Sequence, residues 1–121
     1  MPTAKSDVVR LHHILDAVTK ALKFTATKSR KDLDTDEQMA LALVRLIEIM
    51  GEAASRMTIE TQNTHPGIPW RRIIGTRNRL IHGYDRVDLD ILWQIVNADL
   101  PPLAIELQKI VNDKESQGKL L

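Results

Sequence analysis

Four residues in one short stretch carry side chains that could do chemistry together: Arg77, Asn78, His82 and Tyr84, in "GTRNRLIHGYD". Arginine suits a phosphate because its planar fork donates hydrogen bonds in pairs. Histidine is the side chain that exchanges protons near neutral pH, as a general acid or base. An amide such as Asn78 can orient an imidazole or hold a phosphate oxygen. The same residues also have ordinary uses. Arg77 can pair with an acid on a neighbouring helix, Glu48 or Glu52, or snorkel its stem. His82 can cap a helix end beside Gly83, and Asn78 can be an exposed amide. Tyr84 can pack against the helix end with its hydroxyl on backbone or water.

The element that would position them is a helix from about 69 to 82, opened by Pro69 and stopped by Gly83. With Trp70 at zero and about 100° per residue, Arg77 falls near 340°, the middle of the apolar face made by Ile73, Ile74, Leu80 and Ile81. An unpaired buried guanidinium costs several kcal/mol, so Arg77 needs either a partner acid or a cleft that an anion visits. Arg71, Asn78 and His82 share one flank, and Arg72 and Arg79 point toward solvent. Arg77 and His82 lie about 140° apart on a straight helix. They converge only if the helix ends near His82 or a second copy contributes.

The surrounding chain predicts an all-α fold, an up-and-down bundle of about five helices. Val8, Leu11, Leu15, Val18 and Leu22 mark a first helix over about 6–25. "TKSRKDLD" is a polar connector. "TDEQ" matches a capping box, Thr35 with Gln38, opening a long helix over about 36–62. That helix is apolar on more than one side, so it is central or meets a second subunit. "HPGIPW" is a turn. Asp88 caps a fourth helix over about 89–98, and Asp99 with Pro101 and Pro102 opens a fifth over about 101–113. Residues 114–121 read as a frayed tail of a single domain spanning 1–121, and no segment reads as a strand.

Composition narrows the function classes. The chain has 121 residues, no cysteine and a formal net charge of +1, which excludes a disulfide framework and a cysteine zinc site. No apolar run approaches the roughly 18–20 residues of a membrane span, and "MPTAKSDVVRLHH" lacks a signal-peptide core, so a cytoplasmic location is expected. Charge is uneven: from Trp70 to Tyr84 there are four arginines, one histidine and no acid. His12 and His13 lie on an amphipathic helix without ligand spacing. Glu48 and Glu52 have Arg45 and Arg56 three and four residues away and read as a salt-bridged face. No metal site, glycine-rich phosphate loop or nucleophile elbow is found, and no cofactor is expected.

"IPWRRIIGTRNRLIHGYDRVDLDILWQIVNADLPPL" closely resembles the C-terminal half of the HEPN-domain toxins, the HepT-like group of toxin–antitoxin pairs (MNT/HEPN). Their motif is Arg, four residues, His, any residue, Tyr; here it is Arg77, "NRLI", His82, Gly83, Tyr84. "LIEIMGEAASR" resembles the family's second helix, so the resemblance covers about residues 36–112. It implies a helical homodimer and a metal-independent endoribonuclease, with Arg and His of both subunits gathered in a cleft at the interface. By this resemblance Arg77 and His82 are catalytic, and Asn78, Arg71 and Arg79 are candidates for supporting phosphate contacts. It further implies RNA as substrate. The partner it implies is a cognate minimal nucleotidyltransferase antitoxin, which silences the toxin by transferring AMP to Tyr84. The alternative within the resemblance is a non-catalytic substrate-binding subunit of a nucleotidyltransferase.

Overall fold

The computed structural model describes the backbone of residues 5–82 and 86–119, and the side chains of 6–81 and 86–114. Helix α1 (Lys5–Thr25) packs on α3 (Glu37–Ser55) and on the last helix, α8 (Leu100–Lys119). Leu11, Ile14, Ala17, Val18 and Ala21 form the buried stripe of α1, with Val8, Leu15 and Leu22 half-buried beside it. Their three- and four-residue spacing is the amphipathic pattern visible in the sequence.

Helix α3 is central, as its two-sided apolar pattern requires. Met39, Leu43, Val44, Leu46, Ile47, Met50, Ala53 and Ala54 are all buried. It meets α1 on one side and the short helices α5 (Trp70–Ile74) and α6 (Thr76–Leu80) on the other. Its N-cap is Asp36, whose side chain accepts from the Met39 amide at 3.0 Å, rather than Thr35. Thr35 instead closes a one-turn helix, α2 (Asp32–Thr35), which buries Leu33 within the polar connector. The long helix also stops sooner than its periodicity predicts. Met57 is buried in the break after Ser55, and Thr58 caps a separate helix, α4 (Ile59–Thr64), by accepting from the Thr61 amide.

Asp88 caps α7 (Leu89–Gln94) as expected, accepting from the amides of Asp90 and Ile91. Beyond it the chain does not break. A π-helical turn, Ile95–Asp99, leads directly into α8. Pro101 and Pro102 lack amide hydrogens, and their rings crowd the preceding turn. A widened turn just before them relieves that crowding, so the helix bulges where the sequence suggested a stop. The helix then continues to Lys119, past the predicted end at 113 and into the expected tail.

The largest departure is in the third predicted helix. It breaks at Gly75 and ends at Leu80. The Thr76 hydroxyl donates to the Arg72 carbonyl at 2.6 Å, a back-bond of the kind that bends helices. Ile81–His82 (β1) is extended and pairs antiparallel with Arg86–Val87 (β2), Ile81 opposite Val87 and His82 opposite Arg86. His82 is therefore not a helix C-cap, and it does not share a helical face with Asn78. The chain nonetheless belongs to the all-α class, since this ladder is two residues long.

Candidate active site

The bend at Gly75 decides where Arg77 goes. In the kinked element Arg77 is exposed rather than set in the core. It lines an open groove of about 500 Å³ with Ile74, from α5, and with Arg45, Ile47, Glu48, Gly51, Glu52 and Ser55 of α3. Ile74 is 39% exposed, so the groove wall beside Arg77 is partly apolar. Gly51 lets the segment sit close: a Cβ there would lie 3.3 Å from the Ile73 carbonyl oxygen.

The two acids considered as partners for Arg77 are occupied elsewhere. Glu48 lies 3.9 Å from Arg45, and Glu52 pairs with Arg56 at 2.8 Å and accepts from its Nε at 2.9 Å. Both are contacts within α3 and its end, as their sequence spacing predicts. Among the described residues Arg77 has no ion pair and no hydrogen bond from its guanidinium. The groove thus holds two acids already matched by Arg45 and Arg56, and one arginine with its donors free.

His82 leaves the helix two residues after Leu80, in β1. The helix therefore ends near His82, the condition under which the straight-helix angle between it and Arg77 stops applying. Tyr84 lies outside the described residues. Asn78 is exposed, and it is not among the groove's lining residues. Arg71 is exposed beside Trp70, where it lines a different depression with Gln62, Asn63 and Pro66. Arg79 lies 3.6 Å from Asp99, which Arg72 also holds with Nε and Nη2 at 3.2 Å. The expectation that Arg72 and Arg79 are simply solvated is thus corrected: both meet the π-turn carboxylate. Sequence reasoning missed Asp99 because its cap-like position before Pro101 accounted for it. Gly51, an isolated glycine inside a helical pattern, was the available signal for a close backbone approach.

No group of three or more His, Asp or Glu side chains suited to a metal ion occurs among the described residues. No described helix is long and apolar enough to cross a membrane.

A profile of the Ribonuclease HepT-like family matches residues 14–110, which include α3, the bent α5–α6 segment and β1. The chain belongs to the HepT-like ribonuclease family. Among relatives of this HepT-like chain, "Probable ribonuclease HepT" of Thermococcus cleftensis is 34% identical over 100 residues, 83% of this chain and 91% of the relative. A Methanocaldococcus jannaschii protein, whose name joins gamma-glutamylcyclotransferase to a provisional RNase, is 34% identical over 113 residues. That alignment takes in 92% of the HepT-like chain but 51% of the archaeal one, so the chain spans about half the length of this relative. A protein of Caldanaerobacter subterraneus, also provisionally named an RNase, is 30% identical over 105 residues, 87% of this chain and 94% of its own. No solved structure matches. Ribonuclease is the activity shared by these names.

Proposed function

We propose that the protein is a metal-independent endoribonuclease, the toxin of a type VII-like toxin–antitoxin pair, acting on RNA in the cytoplasm as a homodimer. The observation that carries the reading is Arg77: a guanidinium on a groove wall, without a partner among the described residues, in the short helix that ends just before the strand holding His82. In the reaction, His82 accepts the proton of an RNA 2′-hydroxyl as that oxygen attacks the adjacent phosphorus. Arg77 stabilises charge developing on the phosphoryl oxygens. His82 of the second subunit protonates the departing 5′-oxygen. The products are a 2′,3′-cyclic phosphate and a 5′-hydroxyl, and no metal takes part. Arg71 and Asn78 are exposed outside this groove and would serve flanking phosphates, Arg79 is engaged by Asp99, and Arg77 and His82 carry the proposal.

Control would come from a minimal nucleotidyltransferase that transfers AMP from ATP to the Tyr84 hydroxyl with release of pyrophosphate. The added phosphodiester is negative and competes with RNA phosphate for Arg77, while the nucleotide's bulk fills the cleft.

The test is RNA cleavage by the purified protein in EDTA. Cyclic-phosphate ends are expected in wild type, with a loss of roughly 10²–10⁴-fold in His82→Ala. Wild-type rates in His82→Ala would sink the mechanism. A monomer by light scattering would sink the shared site. Co-expression with the partner should add AMP mass at Tyr84, and Tyr84→Phe should escape silencing.

A further inference from the structure

The groove explains which group faces the substrate, but not what holds that group still. Helices α5 and α6 are five residues each, too short to be stable alone. They are joined at Gly75, and the Thr76 hydroxyl takes up the carbonyl of Arg72. A segment of this kind needs an external brace if Arg77 is to keep one position.

Asp99 supplies contacts on both sides of the break. Its carboxylate accepts from Arg72 of α5, with Nε and Nη2 each at 3.2 Å from Oδ2 and Nη2 at 3.4 Å from Oδ1. The same Oδ2 lies 3.6 Å from Nη1 of Arg79 on α6. That Arg79 nitrogen is buried and has no hydrogen-bond partner, so the carboxylate is its counter-charge rather than its acceptor. Arg72 and Arg79, on either side of the break, thus meet at one carboxylate oxygen. Arg77 and Arg79 are two residues apart within α6, about 160° round the helix, and Arg72 and Asp99 line a different cavity from the groove that Arg77 lines. The brace therefore sits behind the segment and leaves the groove side open. Asp99 itself is the last residue of the π-turn, fixed by Ile95 and Val96, which are buried in the core.

We propose that Asp99 is a positioning residue for the reaction: by holding Arg72 and Arg79 across the Gly75 break it fixes α6, and hence Arg77, against α3. The inference rests on the ribonuclease reading for its catalytic consequence, but the brace has its own readout. Removing the charge leaves two guanidinium groups facing a neutral side chain, and the buried Arg79 nitrogen loses its counter-ion. Repulsion then acts across the Gly75 break.

The experiment compares wild type, Asp99→Asn, Asp99→Glu and Arg72→Gln by hydrogen exchange and by steady-state RNA cleavage. In Asp99→Asn, amides of 76–80 should exchange about tenfold faster while the buried parts of α1 and α3 stay as in wild type. The turnover number should fall about tenfold with KM within twofold. Asp99→Glu should recover much of both, and Arg72→Gln should move both in the same direction by less. If Asp99→Asn does not fold, the Arg72→Gln pair of measurements decides. Wild-type exchange at 76–80, or wild-type turnover in spite of faster exchange, overturns the proposal. If wild type itself fails to cleave RNA, the ribonuclease reading falls, and exchange at 76–80 alone decides the brace.

Discussion

At the corner where α1 meets α4, the Asp7 carboxylate is wholly buried and surrounded by donors. Thr58 Oγ1 donates at 2.5 Å, Thr61 Oγ1 at 2.7 Å, Arg10 Nη1 at 3.2 Å and the Thr58 amide at 3.3 Å. On the opposite flank of α3, the Arg77 guanidinium is exposed and has none of this company among the described residues. Two ionised side chains in one small bundle are thus treated in opposite ways. The buried one ties the start of the first helix to the cap of the fourth, and its charge is used up inside the fold. The exposed one contributes little to the fold and keeps its donors for something else. A charge that the fold does not consume is the better candidate for chemistry.

The contrast breaks most visibly at Arg77. Arg77→Ala should lower RNA cleavage by roughly 10²–10⁴-fold while changing thermal stability by no more than about 0.5 kcal/mol, as for other surface positions. Arg77→Lys keeps the charge but not the fork and should recover part of the loss. If Arg77→Ala instead unfolds the protein and spares the specific activity of what remains folded, Arg77 is structural after all, and the comparison fails.

Asp7 should behave in the reverse sense. Asp7→Ala leaves two threonine hydroxyls and an amide without their acceptor, and should cost about 2–4 kcal/mol of stability. Cleavage per folded molecule should be unchanged. Burial pushes the Asp7 carboxyl up, but the hydrogen bonds from Thr58, Thr61 and Arg10 outweigh it, so its pKa lies below the ordinary 3.8. A carboxyl depressed on folding stabilises the protein fully above its unfolded pKa, and that contribution is lost as pH falls through the lower folded value. Acid titration of unfolding should therefore show a wild-type loss below about pH 4 that is smaller in Asp7→Asn. Equal acid sensitivity in the two proteins would remove Asp7 from the account.

What the sequence made legible follows from which signals are local. The first helix, the two-sided burial of the long helix α3 and the Asp88 cap depend on periodicity or on a side chain reaching two or three residues ahead, and they stand as read, although α3 ends at Ser55 and not near 62. Thr35 failed as a cap because Asp36, one residue on, competes for the same amides with a charged acceptor. The wheel that placed Arg77 in the core assumed a straight helix through Gly75. Once the helix bends there and ends at Leu80, angles no longer accumulate across it. Arg77 and His82 stood out by their types and by the family motif. Gly51 and Asp99 did not, because their parts depend on contacts between elements distant in sequence. Conversely, Arg79 looked available by sequence and is held by Asp99 in the fold.

The smallest expected effect sharpens the comparison on the groove side. Gly51 sits in the middle of α3, where alanine would favour the helix by about 1 kcal/mol. Its missing Cβ is also what lets the bent segment approach, since that atom would meet the Ile73 carbonyl oxygen at 3.3 Å. The contact is tighter than ordinary van der Waals packing, and its partner is backbone, so the segment must retreat by a few tenths of an ångström. The two effects oppose each other, and Gly51→Ala should change stability by less than about 1 kcal/mol in either direction. Activity should respond more clearly. A small retreat of α5–α6 carries Arg77 with it, and misplacement of an electrostatic donor lowers turnover rather than substrate binding. A two- to tenfold fall in turnover, about 0.4–1.4 kcal/mol, is expected with KM nearly unchanged. At the Asp7 corner a substitution moves stability and spares turnover; at Gly51 it should do the opposite. If Gly51→Ala cleaved RNA at the wild-type rate, the placement of Arg77 would not depend on this approach, and the groove's geometry would matter less than its charge.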